Sequence, residues 1–165
     1  MTVQDISCVG KCSLTVALPI ISAAGVEAGV LPTAVLSTHT MFPKFTFRDL
    51  TDEITPIADT FKELNIGFDA IYTGYLGSFE QLSLVEKFIL DFKKEGTTVL
   101  VDPVMADNGK LYSGFSMEFA HSMANLCSKA DIIVPNLTEA SFMLDIPYNP
   151  DYDEEYIREV LKKLT

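Results

Sequence analysis

The stretch from Thr97 to Tyr112 constrains the fold most, because an apolar run leads directly into acidic, turn-forming residues. Thr97 to Val101 is β-branched and apolar without alternation, which is typical of a strand covered on both faces in a parallel sheet flanked by helices. Asp102 follows at the carboxyl end of this strand, where ligands bind in open α/β sheets. Asp102 and the Asp107-Asn108-Gly109 turn fit a metal or phosphate site. A strand end followed by an ordinary turn explains the same residues equally well.

Apolar patterns along the chain alternate between strands and helices. Besides a short first strand and the central one, strands are predicted at Gly29–Ser37, Phe68–Thr73 and Asp131–Pro135. Helices are predicted at Ser13–Ala24, from Asp49, at Gln81–Lys94, at Ser116–Ser128, from Asn136, and at Asp151–Thr165. The first helix is expected to be buried, and kinked or started near Pro19. This order predicts an α/β fold with a largely parallel sheet, built as a single domain of residues 1–165.

The charge balance narrows the class of partner. Twelve basic and 23 acidic residues give a net charge of −11, which argues against a nucleic-acid or anionic-membrane surface because either needs a basic patch. An anionic substrate would need a metal ion or backbone N–H groups at helix N-termini. Neither a P-loop nor a classical dinucleotide fingerprint occurs.

The cysteines and the N-terminus indicate a compartment. Cys8, Cys12 and Cys127 follow no zinc-ligand spacing and are odd in number, so reduced thiols are expected. The N-terminus lacks a basic start and an apolar run, and later apolar runs are short of a membrane span. The sequence therefore predicts a soluble cytoplasmic protein.

Polar residues follow the other predicted strands as well. Thr38-His39-Thr40 follows the second strand and Gly74-Tyr75-Leu76-Gly77-Ser78 the third. His39 is interpreted as a satisfied structural histidine rather than a ligand contact. Asn136-Leu-Thr-Glu139, taken alone, is better explained as a helix N-cap with an acid in the first turn. Met41 to Arg48 is either a flap over a pocket or surface packing.

Several of these strand-end segments together match one family. The segments are Gly10–Pro19, Leu36–Thr40, Thr73–Gly77, Val101–Met105 with Asp107–Tyr112, and Ala130–Ala140. In their order and spacing, the chain resembles the pyridoxal/pyridoxamine kinases of the ribokinase-like superfamily. The resemblance implies a three-layer fold, with a mostly parallel sheet and helices on both faces, of which these residues correspond to the N-terminal portion.

The resemblance also implies an activity and the residues that serve it. The activity is transfer of the γ-phosphoryl of ATP, with Mg²⁺, to the 5′-hydroxymethyl group of pyridoxal, pyridoxine or pyridoxamine. Substrate contacts are implied for Asp5, Thr40 and Tyr75, ATP contacts for Asp102, Val134 and Glu139, and metal contacts for Asp102, Asp107 and Glu139. No residue is assigned as catalytic base, since the family carries a glycine-rich anion hole and a base aspartate in a segment expected beyond Thr165. Ala106 stands where the family usually has glycine.

Two expectations about geometry follow, and two alternatives stay open. Asp102 and Glu139 are expected on the same side of the sheet, and Asp5, Thr40 and Tyr75 are expected to line one pocket. The resemblance implies a homodimer, and this chain alone is expected to be inactive. The alternatives are a hydroxymethylpyrimidine kinase of the same superfamily and a non-catalytic protein that only binds the ligand.

Overall fold

The computed structural model describes all residues from 1 to 165. The strands are β1 Thr2–Ser7, β2 Val30–Leu36, β3 Phe47–Asp49, β4 Ala70–Thr73, β5 Thr98–Val101, β6 Ala106–Asp107, β7 Lys110–Leu111 and β8 Ile132–Ile133. The helices are α1 Leu14–Ala23, α2 Thr51–Glu63, α3 Phe79–Phe92, α4 Met117–Cys127, α5 Leu137–Met143 and α6 Glu154–Leu164. None of these helices combines the length and apolar character that crossing a membrane requires.

Six strands form one sheet in the order β3-β2-β1-β4-β5-β8. Every neighbouring pair is parallel except β2 with β3. The predicted α/β class with a mostly parallel sheet is confirmed. Because the five parallel strands run in one direction, the segments that follow them emerge at one edge, where open α/β sheets bind ligands.

The hydrophobic core lies on one face of this sheet. Ile71, Val99 and Val101 are fully buried and pack with apolar residues of α2, α3 and α4, including Phe88. The residues between them in sequence point to the other face, since side chains alternate along a strand. There Thr98 is exposed and Leu100 only half-buried. The prediction that both faces of this strand are covered was wrong, because α2, α3 and α4 all pack on the same side.

Helix α1 differs from its prediction in burial. Leu14 is its only buried residue, and Pro19 lies inside the helix. Apolar composition suggested burial, but α1 contacts the sheet at β1 and has no partner on its outer side. Gly25 follows the helix with a φ of +79°, the left-handed conformation in which many helices end.

Serine or aspartate side chains occupy the N-cap positions of α3, α4 and α6. Ser78, Ser116 and Asp153 each accept a hydrogen bond from the backbone N–H three residues further on, with distances of 3.1, 3.2 and 2.8 Å. Each such cap contributes about 0.5–2 kcal/mol to stability. These caps fix where α3, α4 and α6 start relative to the strand ends that precede them.

Gly10, in the loop between β1 and α1, has no room for a side chain. Its φ is +128°, and a Cβ placed there would lie 2.2 Å from Cδ2 of His39. We expect Gly10→Ala to lower the free energy of unfolding by about 1–3 kcal/mol more than Gly25→Ala. Gly25 is the matched control, because its φ is also positive but its Cβ would meet nothing within 4 Å.

Urea unfolding of both variants measures the difference. Adding His39→Ala to Gly10→Ala should recover the steric part of the loss, since it removes the clashing ring. Equal losses in Gly10→Ala and Gly25→Ala would contradict the role of His39 in packing over Gly10.

Candidate active site

The predicted site residues lie along the carboxyl edge of the sheet. Tyr75 follows β4, Asp102 follows β5 and Val134 follows β8, while Asp5 lies within the second half of β1. Thr40 lies exposed in the turn that follows β2. The residues form two groups, one at β5 and β8 and one at β1 and β4.

Asp102 and Glu139 belong to the first group. Strands β5 and β8 are parallel neighbours, with Val101 paired to Ile133, and the Val134 N–H donates to the Val101 carbonyl at 3.1 Å. The two acids therefore emerge from adjacent strand ends, and the charge of Asp102 helps to raise the pKa of Glu139. The expectation that they lie on the same side of the sheet is confirmed.

The Asp102 carboxylate is half-buried at the carboxyl end of β5. Burial raises the pKa of this carboxyl. No hydrogen bond to the side chain offsets that effect, so both oxygens are free to accept a bond from a ligand or to coordinate a cation. A partly desolvated acid beside a second acid at a strand end is a common arrangement in functional sites.

Glu139 has a structural role in this conformation. One carboxylate oxygen accepts from the Asn136 N–H at 2.8 Å, while the Asn136 side chain accepts from the Glu139 N–H at 3.0 Å. This pair is a capping box, so the local N-cap interpretation is confirmed. The other carboxylate oxygen accepts from the Met105 N–H at 3.1 Å. Glu139 thus ties the start of α5 to the segment that follows Asp102.

Burial makes the Glu139 carboxyl a weaker acid than usual. The residue is 3% exposed, and burial, opposed by its backbone hydrogen bonds and reinforced by Asp102, raises the pKa to about 7. Burial raises the pKa of the Cys127 thiol, and the charges of Glu139 and Asp102 raise it further, to about 12. Cys127 is consequently a neutral, structural thiol.

Tyr112 is a residue that the sequence analysis missed. Burial raises the pKa of its phenol, and Glu139, Asp107 and Asp102 each raise it further. The charges of all three acids implied in metal contacts therefore act on one phenol. No group of three acidic, histidine or cysteine residues is close enough to hold a metal ion by itself.

Asp107 is held within its own turn. It lies in the β6–β7 hairpin. Its carboxylate accepts two hydrogen bonds from Asn108, one from the backbone N–H at 2.8 Å and one from the side-chain amide at 3.0 Å. Asn108 and Gly109 have φ values of +50° and +74°, which suits a tight hairpin turn. Ala106 is fully buried and is not among the residues with positive φ, so alanine fits here in place of glycine.

The second group surrounds Tyr75. Burial raises the pKa of its phenol, and the charges of Asp5 and Asp49 raise it further. Asp5 is 3% exposed, and one carboxylate oxygen accepts from the Ser7 hydroxyl at 3.1 Å. The other oxygen is buried without a partner. An unpaired buried carboxylate oxygen is costly, so this group is suited to accept a hydrogen bond from a ligand.

The structure places Tyr75 within reach of the Asp5 charge. That these two residues and Thr40 line one pocket stays a prediction. Asp49, which the sequence analysis placed at the start of a helix, ends β3 instead, and its carboxylate accepts from the N–H of Thr51, the first residue of α2, at 2.7 Å. The Tyr75 ring lies 5.8 Å from that of Phe115, which gives the site an aromatic side.

An apolar groove of about 820 Å³ lies elsewhere, between β8 and α6. Ile132, Val160 and Leu161 line it, and Val134 is the only predicted site residue that it contains. Because it lacks the acids and Tyr75, this groove does not account for the chemistry implied at the strand ends.

Comparison with known proteins matches the sequence and the fold to a family. Residues 20–165 match the family model described as phosphomethylpyrimidine kinase. The pyridoxal kinase PdxY of Pasteurella multocida is 30% identical over 148 residues, which cover 84% of this chain and 51% of that protein. The chain spans about half the length of the curated relatives it matches.

Two solved structures are similar over nearly the whole chain. A Bacteroides thetaiotaomicron protein assigned as a phosphomethylpyrimidine kinase, in a crystal form with pyridoxal, has a TM-score of 0.95 and 49% identity. The match covers 99% of this chain and 57% of that one. The pyridoxal kinase of Lactobacillus plantarum has a TM-score of 0.89 and 32% identity, with 99% and 58% of the two chains covered.

Proposed function

The chain belongs to the phosphomethylpyrimidine kinase family of the ribokinase-like superfamily, and we propose that it binds substrate and nucleotide for an ATP-dependent kinase of vitamin B6 vitamers. The group phosphorylated is the 5′-hydroxymethyl of pyridoxal, pyridoxine or pyridoxamine. The observation that carries this proposal is the 49% identity to a protein crystallised with pyridoxal. The aromatic and acidic surroundings of Tyr75 support it.

In this proposal the group around Tyr75 receives the vitamer. The Tyr75 ring stacks on the pyridine, and the unpaired oxygen of Asp5 accepts a hydrogen bond from a polar edge of the ligand. Thr40 contributes a hydroxyl from the turn after β2. A flat heteroaromatic ring with polar substituents fits an aromatic wall combined with a few fixed polar groups.

The acids at β5 and β8 lie on the nucleotide side. Phosphoryl transfer depends mainly on positioning and charge neutralisation, and a Mg²⁺ ion would supply that neutralisation when bound. The free carboxylate of Asp102 suits this cation, since Mg²⁺ is usually held by one or two carboxylates together with phosphates and waters. Glu139 orients the Met105 backbone beside it, Asp107 approaches from the hairpin, and Val134 contacts the nucleotide.

A second candidate substrate is a hydroxymethylpyrimidine, which the family description itself favours. Both compounds are small nitrogen heteroaromatics with a hydroxymethyl group. Titration calorimetry with pyridoxal and with 4-amino-5-hydroxymethyl-2-methylpyrimidine separates them. Tighter binding of the pyrimidine would overturn the assignment to B6 vitamers.

We also propose a cytoplasmic homodimer. Sedimentation tests the oligomeric state and cell fractionation tests the localisation.

Tyr75→Ala tests the vitamer site directly. Stacking on an aromatic side chain contributes about 0.5–1.5 kcal/mol beyond area burial, so we expect the dissociation constant of pyridoxal to rise about tenfold. The dissociation constant of ADP should change less than twofold, because the acids lie at other strand ends. Exposed Tyr152→Ala is the matched control. Equal losses for pyridoxal and ADP would remove Tyr75 from the vitamer site.

A further inference from the structure

We infer that Gln81 positions Tyr75 for ligand binding, by holding the segment Tyr75-Leu76-Gly77 against strand β2. The inference rests on the proposed function only in taking Tyr75 as the residue that contacts the vitamer. Gln81 lies in the first turn of α3, does not touch the proposed ligand, and carries no role in the chemistry described above.

The side-chain amide of Gln81 is buried and fully paired. The residue is 1% exposed. Its Oε1 accepts from the Gly77 N–H at 2.8 Å, and its Nε2 donates to the Thr33 carbonyl and to the Thr51 hydroxyl, each at 3.0 Å. A buried amide is stable only when it is hydrogen-bonded, so these bonds define one position for the Gly77 peptide relative to β2.

Thr33 completes the attachment from the strand itself. Its hydroxyl donates to the Tyr75 carbonyl at 3.1 Å. The backbone is therefore held at Tyr75 by Thr33 and at Gly77 by Gln81, and Leu76 between them is fully buried. The segment has no regular secondary structure, so these side-chain bonds and the burial of Leu76 determine its path.

The position of Gly77 controls the Tyr75 ring through direct contact. A Cβ added at Gly77 would lie 3.3 Å from the Tyr75 phenol oxygen and 3.4 Å from its ring. The ring thus lies over the Gly77 backbone. If Gly77 loses its bond to Gln81, the surface that supports the ring becomes mobile, and the ring loses its fixed orientation.

Gln81 also connects this segment to Asp49, an acid whose charge acts on Tyr75. Its Nε2 lies 3.4 Å from an Asp49 carboxylate oxygen, and Asp49 is one of the two acids whose charge raises the pKa of Tyr75. One buried amide therefore sets the relative positions of β2, the β3–α2 junction and the Tyr75 segment. This arrangement is what a positioning residue requires.

The test compares Gln81→Met, Gln81→Glu and Thr51→Val in residues 1–165. Methionine keeps the length of the side chain but removes its hydrogen bonds, whereas glutamate keeps the acceptor for Gly77 and loses the donor to Thr33. Thr51→Val removes one partner of Gln81 and leaves its bonds to Gly77 and Thr33. Calorimetry measures pyridoxal and ADP binding, and NMR measures amide exchange at Gly77 and the Tyr75 ring resonances.

For Gln81→Met we expect the dissociation constant of pyridoxal to rise about tenfold, because the two bonds that hold the site, to Gly77 and to Thr33, are lost. The constant for ADP should change less than twofold. Gly77 amide protection should be lost and the Tyr75 ring resonances should shift. Gln81→Glu should keep Gly77 protection with a smaller loss of pyridoxal binding, and Thr51→Val should match the wild type.

Three outcomes would overturn the inference. Wild-type protection of Gly77 in Gln81→Met would show that Gln81 does not hold the segment. Loss of protection with unchanged pyridoxal affinity, or equal losses for pyridoxal and ADP, would reduce Gln81 to a general structural role. If the wild type binds ADP but no pyridoxal, the proposed function fails. Amide exchange at Gly77 and the Tyr75 ring resonances still decide whether Gln81 positions the ring. If Gln81→Met does not fold, Gln81→Glu tests the bond to Thr33 alone: reduced pyridoxal binding with Gly77 protection kept is the expected result, and unchanged pyridoxal affinity would overturn the inference.

Discussion

Residues 1–165 alone are expected to phosphorylate pyridoxal at least about 10²-fold more slowly than the Lactobacillus plantarum pyridoxal kinase assayed beside them. A general base contributes about 10²–10⁴-fold and an anion hole about 10²–10³-fold, and such effects need not multiply independently. The resemblance implies that both come from a glycine-rich segment ending in aspartate. No Gly-x-Gly-Asp sequence occurs in these 165 residues.

A coupled assay of ATP-dependent phosphorylation at matched protein concentrations measures this difference. Binding of pyridoxal and ADP by the same preparation is the control, since it shows that the chain is folded and that its sites are formed. Turnover comparable to that of the Lactobacillus enzyme would show that the chain holds its own base. The acids to test would then be Asp5, Asp102 and Asp107, by substitution with asparagine.

The fold was predictable where local sequence determines local structure. The apolar run at Thr97–Val101 forms β5, and the serine and asparagine caps at Ser116 and Asn136 begin helices as expected. Burial was less predictable, because it depends on elements distant in sequence. Nothing in Thr97–Val101 indicates that three helices pack on one side of it, and nothing in α1 indicates that its outer side has no partner.

The candidate site shows the same division. The proximity of Asp102 and Glu139 was predictable because each follows a strand and the two strands are neighbours. Asp49, Gln81 and Tyr112 were missed because their contacts join separate elements, such as the bond between Gln81 and Thr33 across 48 residues. No local spacing encodes such a contact. Glutamine in a first helical turn is otherwise an ordinary surface residue.

Glu139 is expected to make the folded chain less stable as the pH rises from 5 to 8. Burial raises its pKa from 4.5 to about 7, so between these values the folded state keeps a proton that the unfolded state has released. The stabilisation is therefore fully present below about pH 4.5 and is lost as the pH rises through about 7. Allowing for partial solvent screening, the loss is on the order of 2 kcal/mol. The raised pKa of Asp102 acts in the same direction.

Glu139→Gln tests this, because glutamine is uncharged throughout the range. At pH 5 the variant should be less stable than the wild type by about 1–2 kcal/mol, since its NH₂ group cannot accept from one of the two backbone N–H donors. The deficit should shrink towards pH 8, where the wild type has lost its proton. Urea unfolding in buffer with a chelator at pH 5, 6, 7 and 8 measures how the free energy of unfolding changes with pH in both proteins.

Glu118→Gln, at an exposed first-turn glutamate of α4, should keep the wild-type slope of stability against pH. A wild-type stability that rises between pH 5 and 8, or a Glu139→Gln slope equal to that of the wild type, would show that Glu139 is already ionised in the folded chain. Its carboxylate would then be a second anionic oxygen donor beside Asp102 at neutral pH.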